Sequence, residues 1–101
     1  MSKEGKEIYD FCSSLFGINR SITGDGVRQT LRLIQKQIQS NLDITEIESK
    51  TKCFDWQIPL EWNVKDAFIE DLKGNKIIDF KKNNLHLMGY SIPVDKKLSL
   101  T

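Results

Sequence analysis

Ile8, Phe11, Cys12 and Leu15 recur at i, i+3, i+4 and i+7, which places them on one stripe of a helix over Lys3 to Phe16. Gly17 ends that helix as a C-cap. The stretch Ile18 to Gly26 holds two glycines among short polar side chains and reads as an ordered loop. From Val27 the helical period returns: Val27, Leu31, Ile34 and Ile38 share a face, while Arg28, Arg32, Gln35 and Gln39 point elsewhere. Thr23 or Asp25 is expected to cap this second helix, and Ser40-Asn41 to stop it.

Beyond the second helix the period falls to two. Phe54, Trp56 and Ile58 alternate with Asp55 and Gln57, Pro59 closes the run, and an earlier short strand is expected around Ile44 to Glu48. Asp66 to Asp71 and Lys76 to Phe80 flank Leu72-Lys73-Gly74-Asn75, where Gly and Asn tolerate the positive φ of a tight turn, so a β-hairpin is expected. Leu85 to Tyr90 reads as another strand, followed by Pro93 and a polar, lysine-containing stretch. The fold class is α+β: two N-terminal helices, then a β-rich segment with a hairpin, with the change of character near Lys50.

The chain has 101 residues, enough for one modest core, and its five Phe, two Trp and two Tyr need burial somewhere. Fifteen basic residues against fourteen acidic ones leave a net charge of +1. The lysines are interspersed with carboxylates, so neither nucleic acid nor an anionic membrane is an expected partner. The charged start Met1 to Glu7 does not resemble a secretion signal, and no apolar run reaches the ~20 residues that span a bilayer, so a cytoplasmic location is expected.

Candidate chemistry is sparse. Cys12 and Cys53 lack CxxC spacing and read as two buried free thiols, neither a zinc knuckle nor a redox pair. His86 is the one histidine, so a multi-histidine zinc site cannot be assembled here, and the residue reads as a side chain on the solvated face of a strand. Ser13, Ser14 and Ser21 have no GxSxG context. Asp55, Glu61, Asp66, Glu70, Asp71 and Asp79 scatter over both faces of their strands. Thr23-Gly24-Asp25-Gly26 at a helix start invites an anion-binding reading, but GxGxxG and GxxxxGK[ST] are both missing, and capping explains the loop as well. Arg20 is expected to bond loop carbonyls or a ligand. Trp56 and Trp62 around Pro59 suit core or interdomain packing, or alternatively a surface that binds a protein or glycan.

Three runs, Leu15 to Arg28, Phe54 to Asn63 and Ile77 to His86, resemble a bacterial family of aminopeptidase-like proteins over nearly the whole chain. Its members are similar to zinc-dependent aminopeptidases, carry an inserted domain of unknown function near the front and often a winged-helix-like tail, and are considerably longer. The resemblance implies that residues 1–50 are the N-terminal helical segment of the aminopeptidase-like domain, packed on the peptidase sheet. Residues 51–101 would start an inserted β-rich domain, and the whole would be an incomplete piece of a larger α/β aminopeptidase-like fold. It implies metal-assisted peptide hydrolysis for the full-length protein, a hydrolase, with zinc, its ligands and the general-base glutamate beyond Thr101. No residue here corresponds to a catalytic, cofactor-binding or metal position of that family. The expected function is therefore a non-catalytic N-terminal segment whose partner is the remainder of its polypeptide, with a peptide as substrate of the full-length form. The alternative is a stand-alone protein- or glycan-interaction module using residues 54–62.

Overall fold

The computed structural model describes residues 2–100. Helix α1 spans Lys3–Phe16, as the apolar period predicts, and opens on Ser2, whose Oγ accepts from Gly5 N at 3.0 Å. Gly17 caps its C-terminus with an ordinary right-handed φ of −75°, so this cap does not depend on glycine's freedom. Helix α2 spans Asp25–Ile38 and ends where Gln39 turns left-handed at φ 49°, one residue before the expected stop.

Among the described residues four short strands follow: β1 Lys52–Cys53, β2 Trp56–Gln57, β3 Phe68–Glu70 and β4 Lys76–Asp79. They form two separate antiparallel hairpins, β1 with β2 and β3 with β4. The β3–β4 hairpin is the expected one. Phe68 faces Asp79 and Ile69 faces Ile78, with an irregularity between Ile69 and Glu70 that bends the ribbon. Its turn uses Gly74 at φ 85°, and the Asp71 carboxylate ties it by accepting from Lys73 N, Asn75 N and Asn75 Nδ2 at 2.9–3.0 Å.

Three expected strands are corrected. Phe54 to Ile58 is not one continuous strand, because Phe54 and Asp55 form the turn between β1 and β2, with Phe54 left-handed at φ 53°. Residues 44–48 have no strand partner, and Glu46 instead meets Arg28. Leu85 to Tyr90 is not a strand either: Asn84–His86 is one 3-10 turn, started when Asn83 Oδ1 accepts from Leu85 N at 3.0 Å. A side chain that closes a local turn competes with the extended chain that Leu85 and Leu87 would favour.

The expected core is missing. Among the described residues no hydrophobic side chain is buried, and Ile8, Phe16, Ile22, Leu72, Leu85 and Ile92 expose 63–92% of their surface. Cys12, read as buried, is exposed, and Cys53 is half-buried. The radius of gyration is 18.0 Å, where about 13 Å is usual for a compact chain of ~100 residues. The molecule is a plate of 53 × 44 × 19 Å. A body this thin leaves little interior, so its apolar residues lie at its surfaces.

Candidate functional site

Long-range bonding concentrates where the loop before α2 meets residues 60–63 and 90–91. The loop is shaped by glycine. A Cβ on Gly24, at φ 139°, would lie 2.6 Å from the Trp62 carbonyl oxygen, and one on Gly26 would lie 2.0 Å from the Asn19 carbonyl oxygen. Both approaches exclude any larger residue without movement of backbone.

Into this gap comes Asn63. Its Oδ1 accepts from Asp25 N at 2.8 Å, and α2 has no cap from its own N-terminal residue. The expected cap from Thr23 or Asp25 is thus corrected. Thr23 is turned to other work: its hydroxyl lies 2.8 Å from Tyr90 Oη and 3.2 Å from the Leu60 carbonyl oxygen. Tyr90 also donates to Leu60 O at 2.9 Å, and its ring stacks on Trp62 at 6.1 Å between centroids. Trp62 Nε1–H donates to Ser91 O at 3.0 Å.

Ser21 Oγ faces two carbonyl oxygens, those of Thr23 and Trp62, the latter at 3.1 Å. Its single proton is engaged with the backbone, and no base takes it, so the hydroxyl is not activated as a nucleophile. Ser14 likewise donates to Phe11 O, one turn back in α1.

Arg28 closes the junction electrostatically. Its guanidinium meets Glu61 at 2.5 Å, Asp25 at 2.9 Å and Glu46 at 3.3 Å. The hydrogen bond it donates to the Glu61 carboxylate is the main cause holding the guanidinium even more firmly protonated than usual. The same bond from Arg28 holds the Glu61 carboxyl below the ordinary carboxylate range. These side chains are one-third to four-fifths exposed, so solvent weakens each pair and the group acts mainly as a positioning network.

The other sequence candidates are not gathered. Arg20 Nη1 donates to Leu15 O at 2.8 Å, tying the loop to the C-terminal end of α1, which is the carbonyl-bonding role. His86 is exposed on the 3-10 turn, not on a strand. Asp66 pairs with Lys81 at 3.4 Å, Asp71 sits in the β3–β4 turn, and Asp79 Oδ1 accepts from Lys81 N. The anion reading of Thr23 to Gly26 loses one of its donors, because the Asp25 amide is bonded to Asn63, and Trp62 O lies close over Gly24. Trp62 packs within the chain, half-buried against Tyr90, whereas Phe54 is wholly exposed and Trp56 is half exposed at the β1–β2 hairpin.

Among the described residues no three of His, Cys, Asp and Glu lie close enough to hold a metal ion. The residues here therefore do not fit the zinc that the family resemblance implies, and no chemical step is assigned to it. What the arrangement does is mechanical: it fixes the N-terminal end of α2 and the loop before it to two distant segments. Sequence reading missed the roles of Asn63 and Tyr90, which do this: Asn63 closes the second of the runs that carry the resemblance but sits in no period, and Tyr90 reads only as the end of an expected strand.

Residues 9–97 match the family described as "Domain of unknown function (DUF4910)". A Clostridium acetobutylicum protein named "Putative polysaccharide biosynthesis protein with aminopeptidase-like domain" is 54% identical over 99 residues, covering 98% of this chain and 22% of that protein, at its N-terminal end. A crystal structure of a "putative peptidase" from Clostridium acetobutylicum superposes with a TM-score of 0.87 at 55% identity, covering 93% of this chain and 22% of that one. The two helices and small antiparallel hairpins thus match one part of a larger peptidase-like structure.

Proposed function

The chain belongs to the DUF4910 family, and from that we propose that it works as the non-catalytic N-terminal segment of an aminopeptidase-like protein, docked against the rest of the polypeptide. The observation that carries this reading is the absence of buried hydrophobic side chains among the described residues, in a backbone that keeps the shape of its counterpart within a chain more than four times longer. Burying a large aliphatic side chain stabilises by roughly 1.5–3 kcal/mol, so the exposed Ile, Leu and Phe residues give strong reason for such docking.

In this reading residues 1–50 are the helical start of the aminopeptidase-like domain, and residues 51–101 begin an inserted β-rich domain. The junction of Thr23, Asp25, Leu60, Asn63 and Tyr90 then holds the two at a fixed angle. Peptide hydrolysis assisted by zinc belongs to the full-length protein, with the ligands outside these residues. No helix among the described residues is long and apolar enough to cross a membrane, which accords with a cytoplasmic enzyme.

The test is an assay of aminoacyl-p-nitroanilide hydrolysis by the full-length protein and by the 101-residue chain, each before and after chelation. We expect hydrolysis by the full-length protein alone, lost on chelation and restored by zinc. Turnover by the 101-residue chain would overturn the reading.

A further inference from the structure

The stretch after the junction has a pattern that neither the fold nor the proposed role absorbs. Residues 91–100 contain no helix, turn or bend, and none has a left-handed φ. Such a chain is extended, and successive side chains of an extended chain alternate between two sides. One side carries Ile92, Val94, Lys96, Leu98 and Leu100, and the other Pro93, Asp95, Lys97 and Ser99. Ile92, Val94 and Leu98 expose 66–82% of their surface. A stripe of period two that is apolar except for one lysine is the mark of a strand with one covered face, and the long stem of Lys96 can run over that face to reach water.

The two hairpins pair only within themselves, so neither supplies its neighbour. We propose that residues 92–100 are an edge strand of a sheet whose next strand comes from the portion of the polypeptide outside this chain. This rests on the reading that the chain is one part of a longer protein; the similar crystal structure and the similar protein each leave more than three quarters of their length outside the match.

Pro93 gives the strand its orientation. The N–H and C=O of one residue point to the same edge, and those of its neighbours to the opposite edge. Proline has no N–H, so within a sheet it faces the unpaired edge of an edge strand. The Pro93 edge, shared with Asp95 and Lys97, is therefore the solvent edge. The groups of Val94, Lys96, Leu98 and Leu100 bond to the neighbouring strand. The start of the strand is anchored, because Ser91 O accepts from Trp62 Nε1 and Ser91 Oγ donates to Met88 O, so the junction that caps α2 also aims this segment.

The experiment is amide hydrogen exchange on the full-length protein, resolved to single residues by fragmentation mass spectrometry, with Cys12 labelling measured in the same sample. We expect the amides of Val94, Lys96 and Leu98 to exchange at least ~100-fold more slowly than those of Asp95 and Lys97. Uniformly fast exchange over residues 94–98 would overturn the strand. Protection that grows with protein concentration would also overturn it, by making a second copy the partner. Cys12 separates this from the broader reading: shielded Cys12 beside unprotected residues 94–98 sinks the strand alone, whereas freely labelled Cys12 counts against docking itself.

Discussion

The amide of Asp25 at the start of α2 donates to Asn63 Oδ1, 38 positions further along the chain, at 2.8 Å. A helix leaves its first N–H groups without internal partners, and a neighbouring side-chain oxygen commonly satisfies one of them. Here that oxygen comes from a distant segment, so one hydrogen bond serves both as helix cap and as tertiary contact. Asn63→Ala should lower the stability of the full-length protein by about 1 kcal/mol, read as a fall in the urea midpoint. Asn63→Asp keeps an acceptor and adds a negative charge at the positive end of the helix, so it should lose much less.

Gly26 and Gly17 should respond oppositely to the same change. A Cβ at Gly26 meets the Asn19 carbonyl oxygen at 2.0 Å, whereas nothing lies within 4 Å of one at Gly17. Gly26→Ala should cost about 1–3 kcal/mol by forcing backbone apart. Gly17→Ala, at a φ that alanine adopts readily, should be neutral or slightly stabilising. Thermal melts of the two variants check this, and equal losses would contradict the close approach.

Tyr90→Phe removes the hydroxyl that bonds Thr23 and Leu60 while keeping the ring on Trp62. The expected loss is about 0.5–1.5 kcal/mol. Thr23→Val should lose a similar amount, and the double variant less than the sum, because both hydroxyls share the Leu60 carbonyl oxygen. A double-mutant cycle by chemical denaturation measures that coupling.

Acid should loosen both the junction and the β3–β4 turn. The Arg28 hydrogen bond lowers the Glu61 carboxyl, and hydrogen bonds from Asn75 lower that of Asp71. A carboxyl lowered by folding stabilises above its unfolded pKa, and that contribution disappears as the pH falls through its lower folded value. Stability should therefore drop below about pH 4–5, the range of unperturbed carboxylates. Glu61→Gln should be less stable than the parent at neutral pH, and the gap should close in acid. A gap that stays constant with pH would show that Arg28 does not hold this carboxylate.

Cys12 reports on docking. It lies on the α1 stripe with Ile8, Phe11 and Leu15 and is exposed in this chain. In the full-length protein, labelling by a thiol reagent should be at least ~100-fold slower than after unfolding, if that stripe is covered.

Both helices and the β3–β4 hairpin could be read from the sequence because their signals are local. The apolar period of α1 and α2 spans several turns, and Asp71 and Gly74 sit inside the turn they shape. The failures share a different cause. Leu85 to Tyr90 alternates like a strand, but Asn83 closes a 3-10 turn first. Phe54 favours a strand, yet the register of Cys53 with Trp56 makes it a turn residue. The junction itself was hidden because Ser21, Thr23 and Asp25 find their partners 37 to 67 positions away. The missing core could not be foreseen from composition, since the count of apolar residues does not say which molecule surface will cover them.

A plate 19 Å thick with its apolar residues on the outside has a further consequence. Its folding equilibrium would be inseparable from an association equilibrium. Separated from the remainder of the proposed longer polypeptide and mixed back with it, the piece would melt at a temperature set by how much of that complement is present, rising with every increase by mass action. For such a piece, stability is a property of the pair.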